Sequence, residues 1–261
     1  MKITSPQHLS VLGLELEVFP VPGPSNEAPV VFLHEGLGSV AMWRNWPATL
    51  CKQLGRPGLI YSRQGYGQSA DRPDVRGSQR LQPDYMHHEA LQVLPELLRL
   101  LGIERPVLLG HSDGGTIALL HASQLPVEAC IVMAPHVMVE DISIRAIEAA
   151  REAYLNGSLR KRLATYHAHV DTAFWQWNDV WLSPAFRNYD IRQEVARIHA
   201  PVLAIQGEDD PYGTLAQIEE IAQAVAHAQL LKLPACGHSP HRDQGKAVIE
   251  AIGQFLNLIK A

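Results

Sequence analysis

PVLLGHSDGGTIALLHASQ, residues 106–124, decides the fold. Val107, Leu108 and Leu109 form a short continuous apolar run, the pattern of a strand buried on both faces. Gly110-His111-Ser112-Asp113-Gly114 interrupts it, and residues 116–122 continue as an Ala- and Leu-rich helix. G-x-S-x-G set between a strand and a helix is the pattern of a sharp turn that displays a nucleophile. Glycine is expected at both flanks because a Cβ there would strike the neighbouring strand and helix. Ser112 then sits at the tip of the turn, at a helix N-terminus, where backbone N–H groups and the helix dipole favour negative charge. The plainer alternative, a strand–helix junction that happens to contain Ser, is weakened by each chemical partner found downstream.

Working outward, residues 30–33 and 59–61 are further apolar strands, and 128–133, 201–206 and 229–233 follow the elbow. Residues 11–18 alternate as an edge strand or hairpin would, ending in Pro20, Pro22, Gly23 and Pro24. Helices are expected over 43–54, with Pro47 near the start, and over 84–101, N-capped by Asp84 with a possible kink at Pro95. Two more are expected over 215–226 and 244–259. Strands alternating with helices imply a mostly parallel sheet covered on both faces, with functional loops past the strands' carboxyl ends. His34, Ser112 and His136 all lie just past such ends. Between 137 and 195 the alternation stops. Residues 142–154 and 159–169 look helical, and 173–181 are dense in aromatics, so this stretch reads as a helical insertion over the sheet's carboxyl edge.

Composition narrows the function classes. The 261 residues are 46% hydrophobic and 19% charged, enough for one sizeable core. The net charge of −5, with no Lys/Arg-rich block, argues against nucleic acid as a partner. No apolar run is long enough for a membrane span, and the opening MKITSP lacks a signal-peptide core. Cys51, Cys130 and Cys236 are too few and too scattered for a disulfide framework, so a cytoplasmic setting is expected. Thirteen histidines invite a metal reading. The tight pairs His87/His88 and His167/His169 match no metal-ligand spacing and read as solvated helix-face residues.

Four motifs in order now carry a resemblance. These are the glycine turn His34-Glu35-Gly36-Leu37-Gly38, the elbow at Ser112, an acid after strand 201–206, and His238 after the last strand. From about Val30 onward the chain resembles the α/β-hydrolase superfamily, most closely esterases near valacyclovir hydrolase and the meta-cleavage C–C hydrolases. The resemblance implies an α/β-hydrolase core over 1–136 and 196–261, a helical cap over 137–195, and the order Ser, Asp, His.

That chemistry needs these residue types. A serine hydroxyl is a weak nucleophile at neutral pH, so a base must take its proton during attack, and imidazole can also return it to the leaving group. A carboxylate fixes the imidazole tautomer. His238 is the base. Asp209 and Asp210 are adjacent, and the superfamily pattern G-x-x-D, counted from Gly207, favours Asp210 as the acid. The oxyanion hole pairs the N–H of Asp113 with one from the glycine turn, Gly36 first and Leu37 second. Arg63-Gln64-Gly65-Tyr66-Gly67 resembles a structural turn of the family. Leu37, Trp175, Trp177 and Trp181, with Phe174, are candidates to line an apolar acyl pocket, the alternative being that the cap needs them for its own core. Asp113 either complements the helix dipole or, as the resemblance to valacyclovir hydrolase implies, receives a substrate amino group.

No cofactor and no metal are called for. The expected activity is hydrolysis of a carboxylic ester or thioester of a small-molecule substrate through an acyl-enzyme. C–C bond hydrolysis of ring-cleavage products is the alternative. A ligand-binding protein that kept the fold is a weaker one, since binding alone does not require Ser, Asp and His together. The sequence sets no oligomeric state.

Overall fold

The computed structural model describes residues 5–24 and 26–259. The reading of the first four residues lies outside that range. Among the described residues eight strands form one sheet: β1 (Gln7–Val11), β2 (Leu14–Val21), β3 (Val30–Leu33), β4 (Gly58–Tyr61), β5 (Val107–His111), β6 (Ala129–Met133), β7 (Val202–Gly207) and β8 (Gln229–Leu233). Their order is β1-β2-β4-β3-β5-β6-β7-β8. The β1–β2 and β2–β4 pairs are antiparallel and the rest parallel.

The helices are α1 (Trp46–Leu54), α2 (Tyr85–His88), α3 (Leu94–Leu101), α4 (Asp113–Ala122), α5 (Asp141–Leu155), α6 (Ser158–Leu163), α7 (Val170–Trp181), α8 (Arg192–Val195), α9 (Ala216–Ala224), α10 (Pro240–Asp243) and α11 (Gly245–Leu258). Side-chain alternation along the buried strands feeds two cores. Val31, Leu33, Leu108, Cys130, Val132 and Val202 face one, which holds α3, α4 and residues of α5 and α7. Val30, Phe32, Leu109, Ile131 and Ile205 face the other, packed with residues of α1 and α11. Each fully buried aliphatic or Phe side chain stabilises the fold by about 1.5–3 kcal/mol. No helix among the described residues is long and apolar enough to cross a membrane.

Local departures from the sequence reading have local causes. The alternating run over 11–18 spans two strands, joined at Leu12 and Gly13, both at positive φ (52° and 80°), as a two-residue hairpin turn requires. β2 continues through Pro20 rather than ending there. Its pairing with β1 stops at Val18, so the donor that Pro20 lacks falls where β2 has only β4 beside it. The helix expected from residue 43 begins at Trp46, after a 3₁₀ turn over Val40–Trp43 and a left-handed Arg44 (φ 53°). Asp84 precedes α2 but makes no side-chain cap bond. At Pro95 the chain widens into a π-turn over Glu89–Val93, which absorbs the missing donor and the ring's clash with the preceding turn. The helix expected over 159–169 stops at Leu163.

Candidate active site

Ser112 leaves β5 at φ 53° and ψ −120° and opens α4. A non-glycine residue pays about 1–3 kcal/mol for such a backbone, so its surroundings must hold it there. The Ser112 N–H donates to the Met133 carbonyl at 2.9 Å, and the Thr116 N–H donates to the Ser112 carbonyl at 3.0 Å. The flanking glycines permit the approach. A Cβ on Gly110 would lie 2.1 Å from the Gly114 oxygen, and one on Gly114 would lie 2.0 Å from the Leu33 oxygen. The turn is thus wedged between α4 and β3.

His238 Nε2 lies 3.0 Å from Ser112 Oγ, and its Nδ1 lies 2.8 and 2.9 Å from the two Asp210 oxygens. An ionised carboxylate only accepts, so Nδ1 carries the proton and Nε2 is left to accept from the serine hydroxyl. Asp210 also accepts from the Tyr212 N–H (2.8 Å) and from Gln206 Nε2 (2.7 Å). Burial opposes its charge, but His238 and the Tyr212 N–H outweigh this and hold the carboxyl below its ordinary range. Asp209 is exposed and is tied through its N–H to the Cys236 carbonyl. Of the adjacent acids, only Asp210 reaches the histidine.

Facing Ser112 is the turn after β3. The N–H groups of Gly36, Leu37 and Asp113 have no acceptor among the described residues, and all three residues line one pocket with Ser112. The turn is held from behind. Arg63 Nη1 donates to the His34 carbonyl (2.7 Å) and Nη2 to the Glu35 carbonyl (3.1 Å). His34 donates from Nδ1 to the Glu35 carbonyl (2.7 Å) and accepts the Arg63 N–H at Nε2 (3.1 Å). Gly36 cannot be larger, since a Cβ there would lie 2.2 Å from Trp177 Nε1.

The pocket is about 130 Å³ and its lining includes Leu37, Ile147, Trp177, Trp181, His136 and Tyr212. Leu37, Trp177 and Trp181, three of the residues named from sequence, are thus part of this lining, and the two tryptophans are also buried in the core. Trp175 is not part of the lining: two residues from Trp177 it turns off the pocket face of α7, and the Arg76 guanidinium lies 4.1 Å above its ring. Phe174 is buried in the core, stacked on Tyr154 at 3.6 Å. Asp113 is buried, yet makes no bond to a helix N–H. Its Oδ2 accepts from the Tyr85 hydroxyl at 2.5 Å and lies 3.8 Å from Arg63, while Oδ1 is unpartnered. Burial raises its carboxyl pKa, with Arg63 and Tyr85 acting against the rise.

Sequence reasoning missed most of the histidine cluster. His136 lies 5.9 Å from the His238 ring and edge-on to Trp181 at 4.9 Å, and burial with the neighbouring His238 charge pushes its pKa down to about 3. Tyr212 packs on His238 at 4.6 Å. His111 donates from Nε2 to the His238 carbonyl (2.6 Å), and its Nδ1 faces Glu35 at 3.5 Å. The strand-end position of His136 was the available signal. His167 is not solvated. It is buried, donates to the Leu37 carbonyl (3.0 Å) and accepts the Gly67 N–H (3.0 Å). Despite the cluster, no group of three or more His, Cys, Asp or Glu among the described residues could hold a metal ion.

Comparison with known proteins shows the family. Residues 30–251 match the model of the alpha/beta hydrolase family. The chain is 29% identical to "Putative carbamate hydrolase RutD" of Pseudomonas savastanoi pv. phaseolicola, over 88% of this chain and 95% of that protein. It is 25% identical to the mouse (Mus musculus) sn-1-specific diacylglycerol lipase ABHD11, over 87% and 80%. Among solved structures, the enol-lactonase of Burkholderia xenovorans superposes with a TM-score of 0.73 at 22% identity, over 96% of this chain and 99% of that one.

Proposed function

Since the chain belongs to the α/β-hydrolase family, we propose that it is a serine hydrolase that cleaves an ester or thioester of a small, partly apolar acyl group through an acyl-enzyme. The observation that carries this is the Ser112 hydroxyl, hydrogen-bonded to His238 and opening into a pocket of about 130 Å³. In this reading His238 Nε2 takes the Ser112 proton as Oγ attacks the acyl carbon, then returns it to the leaving alcohol or thiol. Asp210 keeps Nδ1 protonated and steadies the imidazolium. The free N–H groups of Asp113 and of Gly36 or Leu37 receive the oxyanion. Water, activated by the same histidine, then releases the acid. Residues 137–195 act as the cap over a core of 1–136 and 196–261, supplying Trp177 and Trp181 to the acyl pocket.

Pocket size bounds the acyl group. A cavity of about 150 Å³ holds benzene, so this one accepts an acyl group of roughly six heavy atoms or fewer. A carbamate, suggested by the RutD relative's name, offers a carbonyl of suitable size and belongs in the same screen.

The test is kcat/KM along p-nitrophenyl esters of increasing acyl length. A maximum at acetate to butanoate, with a fall of about tenfold or more by octanoate, is expected. A rate that rises to the longest chain overturns the small-acyl reading.

A further inference from the structure

The catalytic pocket holds only a small acyl group, so a bulky leaving group lies outside it. A second, larger cleft of about 550 Å³ runs between the cap and the core. The core contributes Met42, Arg44 and Arg242, and the cap contributes α6 with the turn after it, including Lys161, Arg162 and Tyr166. Among the described residues four cations line it and no carboxylate does, in a chain whose net charge is −5.

Several interactions join this cleft to the catalytic pocket. Arg242 lies 3.7 Å from Glu35, and its N–H donates to the carbonyl of Ser239; both Glu35 and Ser239 line the catalytic pocket. His167, next to Tyr166, donates to the carbonyl of Leu37, another pocket residue. Arg162 is close enough to Tyr212, which packs on His238, for its charge to act on the phenol.

The cations are only partly compensated from within. Glu35, which pairs with Arg242, is already divided between His111 and Arg242. Arg44 donates to the Tyr166 hydroxyl, a neutral partner. Neighbouring Arg160 is taken up by Asp171 at 2.7 Å, whereas Lys161 and Arg162 have no acidic partner among the described residues. Exposed cations held without counter-charge beside a reaction site attract an anion and raise its local concentration.

We propose that this cleft binds a carboxylate or phosphate carried on the leaving-group side of the substrate, so that the preferred substrate is an anionic ester with a small acyl group. This rests on the ester-hydrolase reading above. The probes are 4-acetoxybenzoate and its neutral counterpart 4-acetoxybenzamide, which share the acyl group. Wild type is expected to favour the anionic ester in kcat/KM by about tenfold at low ionic strength, as a few exposed ion pairs allow. In Lys161→Gln/Arg162→Gln, or in wild type at about 0.5 M NaCl, the ratio should fall to about twofold or less. Because the readout is a ratio, any general loss of activity divides out. Equal turnover of the two esters in wild type, or a preference that survives the double substitution, overturns the proposal. Binding of 4-acetoxybenzoate to Ser112→Ala, followed by ligand-observed NMR, reads the cleft without turnover. Affinity that Lys161→Gln/Arg162→Gln leaves unchanged in that background overturns the proposal even if no ester is hydrolysed. Affinity that depends on the two cations, with no hydrolysis of either ester, supports the cleft and sinks the ester-hydrolase reading alone.

Discussion

Acidification from pH 7 to pH 5 should weaken this fold through histidines that are buried neutral. His241 is the clearest case. Its ring lies against Trp43 (5.0 Å), Trp46 (5.5 Å) and His111 (4.9 Å), and its Nδ1 has no hydrogen-bond partner. Burial first, then the charge of His111, pushes its pKa down to about 2. In the unfolded chain it returns to about 6.5, so below that pH the unfolded state takes up a proton that the folded state refuses. Stability is therefore full above about pH 7 and is lost as pH falls. At pH 5, about 1.5 units below the unfolded pKa, the loss is about 2 kcal/mol. His136, at about 3, adds a similar amount. Together they remove about 4 kcal/mol from a total that is ordinarily about 5–15. Glu35 and Asp210, whose carboxyls are held low, lose their contribution only below about pH 4, outside this window. Asp113 and Glu89, whose carboxyls burial raises, act in the opposite sense and cancel in a comparison of variant with wild type. Urea unfolding of wild type and His241→Phe at pH 7 and pH 5 measures the effect. The variant should lose about 2 kcal/mol less than wild type between the two pH values. An identical loss in both proteins would refute the assignment of a buried neutral ring at 241.

Two further outcomes follow from the site. Asp210→Asn should lower kcat by about 10⁴, because the histidine loses its tautomer control, whereas exposed Asp209→Asn should cost less than about threefold; the reverse order would contradict the geometry. Asp113 already serves Tyr85 and Arg63, so an α-amino ester and its desamino analogue should differ by less than about threefold in kcat/KM, in wild type and in Asp113→Asn alike. An amino preference above about tenfold that collapses in the variant would instead give the carboxylate to the substrate.

The parts of the fold legible in sequence were those with strong local signals. The buried strands announced themselves as apolar runs, and Gly110 and Gly114 marked a turn whose close contacts admit nothing larger. The Ser112–His238–Asp210 set was legible because each residue follows a strand in an order that a known family uses. What stayed hidden depended on side chains meeting across the chain. Trp175 and Trp177 are indistinguishable by composition, and only the rotation of α7 sends one to Arg76 and the other to Gly36. His167 reads as a surface histidine until the turn after α6 lays it against the Leu37 carbonyl, about 130 residues away. The histidine cluster likewise draws on segments that only the parallel sheet brings together.

The central claim is that Ser112 carries the acyl group. Treating the protein with a fluorophosphonate and mapping the modified peptide by mass spectrometry tests it most directly. One equivalent of label on Ser112, with labelling and ester turnover both abolished in a folded Ser112→Ala variant, is the result predicted. Stoichiometric label at another residue, or an alanine variant that still turns over ester at the wild-type rate, would contradict it.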